Sequence, residues 1–390
     1  MRLLFVTGSL VHGGAERHSI TLMNRLAEQG HECHAVYVKD DRSQLDRIRL
    51  QGQGTVRCLQ ASRYLDVAAL HVFKEHLVKL QPSVVVAANA YALMYATLAL
   101  RWARLVSGLR APLLVTWHST RMLNVKESLQ MLVYRLFFRL AECTVFVSER
   151  QRRYWRRRLL GSRRNEVIHN GVDTEQFSEQ WNAMARSRTR AAIGCREGDF
   201  VVGLSAVLRP EKNPLQLVDA IVRLRARGVP ARALFIGDGE MRAALEARAR
   251  DRGVGAEVVV TGLQEDVRPW LAACDALALC SFTEAFSLAA IEAMALGKPV
   301  VHAEVGGAAE MIVPGWNGFL FPVGDTEALV GRLALLAEPG AAARMGRRAR
   351  EVVEGLFSER RMVERYARTL AEICKQPKQQ EINQCLPTKI

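Results

Sequence analysis

"SFTEAFSLAAIEAMALGKPVV", residues 281–301, sets two carboxylates, Glu284 and Glu292, around the start of a helix. The apolar run "DALALC" (275–280) precedes it and "PVVHA" (299–303) overlaps its end. A strand, a helix and a second strand, both strands continuously apolar, read as part of a parallel sheet covered on both faces. Glu284 falls in the loop after the first strand, and Glu292 inside the helix that begins near Ser287. One carboxylate is then directed to the crevice beyond the strand ends, and the second lies deeper. Phe286, Ser287 and Leu288 stand between them. Carboxylates accept well from sugar hydroxyls, and the free amides of a helix start suit phosphate oxygens.

The same alternation runs outward in both directions. "FVVGLSAV", "ARALFIG" and "EVVVTG" are strands upstream, each separated by a helix-like segment. An earlier series comprises "RLLFVTG", "CHAVYV", "SVVVAA", "PLLVTW" and "CTVFVS". Two successive βα series imply an α/β chain of two Rossmann-like domains, as does a length of 390 residues. The boundary is expected in residues 178–199, after "VIHNGVD". This gives domains 1–185 and 186–357, a closing amphipathic helix over 358–375, and a polar, disordered tail over 376–390.

Ligands in such sheets bind beyond the carboxyl ends of the strands. "AVLRPEKNP" puts Arg209 and Lys212 there, just before a helix, where two cations and a helix dipole suit a diphosphate. Two unrelated surface glutamates would not explain this coincidence with Glu284 and Glu292. Gly237 in "FIGDGE" is a further glycine turn after a strand. In the first series Gly13 and Gly14 open a helix after the first strand, which allows close backbone approach of a phosphate or sugar. A plain βα turn is the equal alternative, and without G-K-[ST] it is not a Walker loop. His118 ends "PLLVTWH"; a lone histidine is more often structural, and its place at a strand end is what marks it.

Composition narrows the class. Hydrophobic residues make up 49% and charged residues 24%, normal for a globular protein. Eight scattered cysteines without C-x-x-C fit reduced cytosolic thiols, and neither a zinc-ligand spacing nor a D-x-D metal motif is present. The opening "MRLLFVTGSL" reads as a strand and not as a signal peptide, and no stretch reads as a membrane span. The net charge of +14 is uneven. Residues 1–185 hold 26 basic and 15 acidic side chains, residues 186–390 hold 28 and 25, so a basic partner surface belongs to the first half.

With these residues in place the chain resembles the retaining glycosyltransferases of family 4. The E-x7-E pair Glu284/Glu292, "GGAE", "TWH", "VIHNGVD", the lysine of "RPEKN" and "VGGAAEMI" stand in that family's order. The resemblance spans about residues 1–372 and implies the GT-B fold. In it two Rossmann-like domains face a cleft, with the acceptor in the first, the donor in the second, and a C-terminal helix crossing back to the first. It also implies roles. Gly14 lies near the donor diphosphate, and His118 contacts the transferred sugar. Arg209 and Lys212 neutralise the leaving diphosphate, Glu284 holds sugar hydroxyls, and Glu292 holds the ribose. The family's usual arginine five residues before the lysine is Val207 here, and Arg209 is the candidate replacement. The expected enzyme is metal-independent and cofactor-free. It takes a nucleotide-sugar donor, UDP-linked before GDP-linked, and transfers a hexosyl or N-acetylhexosaminyl group. A GT-B epimerase, a nucleotide-sugar sensor and a nucleic-acid-binding protein are the alternatives; the last lacks any stacking platform or reading module.

"SERQRRYWRRRLLGSRR" (148–164) carries eight arginines. Drawn as a helix, Arg152, Arg153, Arg156 and Arg157 share a face, with Tyr154 and Trp155 as interfacial anchors. A solvated helix is the alternative. The basic excess of this half favours an anionic membrane surface contacted through 150–164. That reading gives a peripheral protein on the inner face of the plasma membrane, building a lipid-linked glycan such as lipopolysaccharide, without nucleic acid.

Overall fold

The computed structural model describes residues 1–11, 13–119, 125–178 and 182–384. Its contacts divide the chain into two units, Met1–His169 with Met362–Ile390, and Asn170–Arg361.

The first unit opens with β1 (Arg2–Thr7), α1 (Gly14–Glu28), β2 (Glu32–Tyr37), β3 (Val56–Cys58) and α2 (Val67–Leu80). It continues with β4 (Val84–Ala88), α3 (Asn89–Ser107), β5 (Leu113–Trp117) and α4 (Val125–Leu140). Then follow β6 (Cys143–Phe146), α5 (Glu149–Arg156) and β7 (Arg164–Val167). The strands form one parallel sheet in the order β3-β2-β1-β4-β5-β6-β7. The apolar runs become strands because alternate residues are buried against helices on both faces. Leu4, Val6 and Val85 go to one core, and Leu3, Phe5 and Val84 to the other.

The second unit holds α6 (Asn182–Ala192), β8 (Phe200–Ser205), α7 (Pro214–Ala226), β9 (Ala231–Ile236), α8 (Arg242–Asp251) and β10 (Val258–Val260). After them come α9 (Arg268–Ala273), β11 (Ala276–Leu279), α10 (Leu288–Ala295), β12 (Val300–Ala303) and α11 (Ala308–Met311). β13 (Gly318–Phe321), α12 (Thr326–Ala337) and α13 (Ala341–Leu356) complete it. Its parallel sheet runs β10-β9-β8-β11-β12-β13. Strand order reverses direction between β1 and β4 in one sheet and between β8 and β11 in the other. Loops leaving such a reversal diverge and open a crevice at the strand ends.

The last helix, α14 (Glu359–Gln384), joins the first unit from Met362 onward. Met362, Val363, Tyr366, Leu370 and Ile373 are buried in the core lined by Leu3, Phe5 and Leu22. Polar contacts fix its register: Thr369 donates to Glu166 at 2.7 Å, and Arg164 pairs with Glu372 at 2.5 Å.

Three expectations are corrected. The division falls after His169 and not after residue 185. The reason is local: Val172 donates to Phe357 at 3.0 Å and accepts from Glu359 at 2.8 Å, which ties the strand-like turn to the second unit. The closing helix does not stop at 375 but runs on past Pro377 to Gln384. Of the tail expected to be disordered, residues 385–390 lie outside those described. Finally, Trp155 is no surface anchor. At 1% exposure its ring lies 5.3 Å from Trp117, and its indole N–H donates to the Ser119 carbonyl at 2.9 Å. Tyr154 is half-buried, its ring covered by the Arg158 guanidinium at 3.7 Å. The helix ends at Arg156, and Leu159 takes a left-handed backbone. Of the four arginines, Arg153, Arg156 and Arg157 are exposed, and Arg152 pairs with Glu149 at 2.9 Å.

All seven described cysteines are free thiols. Among the described residues no helix is long and apolar enough to cross a membrane. No group of three or more His, Cys, Asp or Glu side chains is gathered there as a metal site.

Candidate active site

In the second unit, the loops leaving β8 and β11 meet at the reversal of the sheet. Their contact is built from the backbone outward. Leu208 donates to Asp238 at 2.8 Å, and Ala206 to Ile236 at 3.1 Å, which anchors the loop after β8 on the loop after β9. Gly237 makes this possible: with φ at +142°, a Cβ there would lie 2.0 Å from the Ala206 carbonyl oxygen. Pro210–Lys212 then forms one 3-10 turn, and the Phe282 amide donates to the Glu211 carbonyl at 2.8 Å. The two loops are thereby locked side by side.

On that frame the Lys212 ammonium donates to Glu284 Oε2 at 2.5 Å. Both side chains are mostly buried, at 26% and 19% exposure, so the pair is charge-assisted and only weakly screened. Arg209 stands apart. It is 54% exposed, and its nearest carboxylate contact is Glu211 at 3.9 Å. Val207 is half-buried in the same loop.

A third loop shapes the segment after Glu284. The Gly307 amide donates to Ala285 at 2.8 Å, and Asn170 donates to the Phe286 carbonyl at 3.1 Å. Phe286 is buried and packs edge-on against Phe357 at 5.3 Å. Ser287 caps α10, its hydroxyl accepting from Ala290 at 3.3 Å. Leu288 is the first helical residue, and Glu292 is buried at 3% exposure, unusual for a carboxylate.

Gly306 sits where only glycine fits. Its φ is +49°, and a Cβ would come 1.7 Å from the Glu284 carbonyl oxygen. Gly306→Ala should therefore push the Glu284 loop outward and cost about 1–3 kcal/mol. A fall in Tm of about 3–10 °C, together with weaker nucleotide binding, is the expected outcome of calorimetry and titration. An unchanged Tm would mean the loop yields freely.

Three polar groups here were not singled out from the sequence. His302, fully buried on β12, donates from Nδ1 to the Ala303 carbonyl at 2.7 Å, and its Nε2 has no partner among the described residues. Burial lowers its pKa; the nearby Glu284 opposes this and Lys212 adds to it, so the ring senses both members of the pair. A histidine in the apolar strand "PVVHA" was the available signal. Asn170 Oδ1 and Thr283 Oγ1 are likewise buried without partners among the described residues.

In the first unit, Gly13 precedes α1 with an extended backbone, and Gly14 is exposed. A Cβ on Gly13 would lie 2.4 Å from Glu16 Oε2, so a carboxylate folds over the start of the helix, where its dipole favours an anion. His118 follows β5, its amide donating to Asn89 Oδ1 at 3.1 Å. Asn89 holds this position from a left-handed backbone, φ +66°, at the end of β4. Burial holds the pKa of His118 well below that of an ordinary imidazole, and His18, 4.8 Å away ring to ring, acts in the same direction. The ring is thus a neutral hydrogen-bonding group, with Nε2 buried and without a partner among the described residues. The structure brings together Lys212, Glu284, Gly237 and the residues capping α10 in one unit, and in the other places His118 at the end of β5 and Gly13 at the start of α1.

Both units resemble known proteins. Residues 185–352 match the family described as glycosyl transferases group 1, and residues 12–176 match glycosyltransferase family 4. The lipopolysaccharide core biosynthesis glycosyltransferase LpsE of Rhizobium meliloti is 27% identical over 92% of this chain and 96% of its own length. A D-inositol 3-phosphate glycosyltransferase of Kribbella flavida is 31% identical over 49% of this chain and 47% of its own. N-acetyl-alpha-D-glucosaminyl L-malate synthase of Bacillus anthracis is 27% identical over 56% of each. The chain thus spans about half the length of these last two relatives. Anabaena HepE in complex with UDP-glucose superposes with a TM-score of 0.82 at 23% identity, covering 95% of this chain and all of that one. At that identity the likeness is one of fold.

Proposed function

Because this chain belongs to glycosyltransferase family 4, we propose that it moves a sugar from a nucleoside-diphosphate donor to a glycan acceptor, with retention at the anomeric carbon. The observation that carries this reading is the Lys212–Glu284 pair at the reversal of the second sheet. A cation and an acceptor fixed side by side match the two ends of the scissile bond. The sugar offers hydroxyls to Glu284, and the diphosphate takes the charge of Lys212.

In the reaction the bond from the anomeric carbon to the diphosphate oxygen breaks, and the acceptor oxygen bonds that carbon from the same face. The acceptor's proton passes to the departing phosphate. Charge builds on the leaving diphosphate, where Lys212, the exposed Arg209 and the first-turn amides of α10 stabilise it without further reorganisation. No general acid is called for, because a diphosphate leaves as an anion. His118, neutral, contributes a hydrogen bond to the transferred sugar. Glu292 holds the ribose, and Glu292→Gln should raise the donor KM by about 10–150-fold, the equivalent of one charged hydrogen bond. A donor titration in which KM stays constant would remove that role.

The UDP-glucose complex of HepE supports a UDP-linked sugar, before a GDP-linked one. The near full-length match to LpsE supports a lipid-linked acceptor in lipopolysaccharide or another surface polysaccharide. Such an acceptor places the protein on the inner face of the plasma membrane, where Arg153, Arg156 and Arg157 face anionic headgroups, each worth ~1 kcal/mol. A donor panel read by nucleotide release, with and without a lipid-linked acceptor, tests the reading. Acceptor-dependent release supports transfer. Acceptor-independent turnover would instead identify an epimerase or a hydrolase.

A further inference from the structure

Helix α4 has two apolar faces. Met131, Tyr134 and Phe138 are buried in the core of the first unit. On the opposite side Leu129, Leu132, Val133, Leu136 and Leu140 are exposed, Leu129 by 61% and Leu136 by 59%. At ~100° per residue these five fall within an arc of about 100°, the width of stripe a helix ordinarily turns toward a core. Among the described residues nothing covers it. Isolated exposed leucines need no explanation, but a continuous stripe of five marks an interaction surface.

Its surroundings select the partner. Arg135 and Arg139 lie along one flank of the stripe by the same helical spacing. The arginine-rich α5 is a neighbour, because Phe138 and Trp155 both pack edge-on against Trp117, at 5.1 and 5.3 Å. Ser162, in the turn after α5, donates to the Phe138 carbonyl at 2.8 Å. An apolar stripe bordered by cations is the pattern of a helix lying in a membrane interface, its side chains below the headgroups and its arginines among them. A second copy of the chain is disfavoured, since a symmetric pairing of this face would bring the same arginines together.

We propose that the outer face of α4, flanked by the arginines of α5, is the surface by which this chain seats itself on an anionic lipid bilayer. The proposal rests on the reading that its acceptor is membrane-borne, and it replaces the buried Trp155 as the source of apolar contact.

Co-sedimentation with vesicles of phosphatidylcholine, alone or mixed with phosphatidylglycerol, tests it across a range of salt. The parent binds the mixed vesicles. L132Q/L136Q should lower partitioning by about tenfold or more at every salt concentration, since apolar burial is not screened. R153S/R156S/R157S should lower it at low salt only. Leu136→Trp gives a readout that does not depend on loss: the fluorescence of the introduced indole should shift to the blue on mixed vesicles and be quenched by brominated acyl chains. Equal binding by L132Q/L136Q, with no change in the fluorescence of the Leu136→Trp protein, overturns the α4 surface while leaving the membrane reading in place. Failure of the parent to bind overturns both. A dimer in sedimentation velocity that L132Q/L136Q dissolves also overturns the proposal, with a second copy as the occupant.

Discussion

Lys212→Ala should lower kcat for sugar transfer by about 10²–10³-fold at saturating donor. The ammonium is held 2.5 Å from Glu284 on a turn fixed by backbone bonds, so it is pre-positioned before a donor arrives. In the proposed role its contribution is greatest when charge has moved onto the leaving diphosphate, and the loss should therefore fall on kcat more than on KM. The fold should survive. Lys212 is one-quarter exposed, and the turn that carries it is held by backbone bonds that the substitution leaves in place. Steady-state kinetics alongside a thermal melt separate these effects. Wild-type turnover in Lys212→Ala would remove the lysine from the reaction.

Ending the chain after Arg361 should abolish folding of the first unit, whereas ending it after Lys375 should leave stability nearly unchanged. The longer truncation removes Met362, Val363, Tyr366, Leu370 and Ile373, each at most 3% exposed in the core around Leu3 and Phe5. At ~1.5–3 kcal/mol per buried side chain, about 7–15 kcal/mol is lost, as much as the entire stability of an ordinary domain. Loss of Tyr366 also leaves His18 without its hydrogen-bond partner at 3.2 Å. Circular dichroism and proteolysis of the two truncated proteins decide the matter. A cooperative melt of both units after truncation at Arg361 would show the helix to be dispensable.

Much of this arrangement is legible in the amino-acid sequence because parallel strands announce themselves. "PLLVTW" and "DALALC" are apolar at nearly every position, and a strand covered on both faces makes use of that. The loops that follow are located by the same reading, which is why Lys212 and Glu284 can be paired without any distance. The failures share a cause: periodicity reports that a face is apolar or charged, without saying which neighbour covers it. Trp155 among arginines looks interfacial, yet the arginines lie outside because the tryptophan is the inner face, packed on Trp117. Conversely, the apolar residues of α4 do not stand out in a sequence where apolar helices are usual, yet five of them are exposed. The polar stretch 178–199 reads as the domain boundary, but the chain leaves the first unit earlier, at a turn whose partners near Phe357 are remote in sequence. His302 and Gly306 matter through contacts with the Glu284 loop, and pairings of that kind cannot be read from local pattern.

In the proposed function Lys212 and Glu284 form the seat of a nucleotide-sugar diphosphate. Isothermal titration of UDP into the parent and into Lys212→Ala tests it without knowledge of sugar or acceptor. One charge-assisted hydrogen bond is worth about 1.5–3 kcal/mol, so the Kd should rise by about 10–150-fold in the variant. Equal affinity for UDP in both proteins would contradict the account.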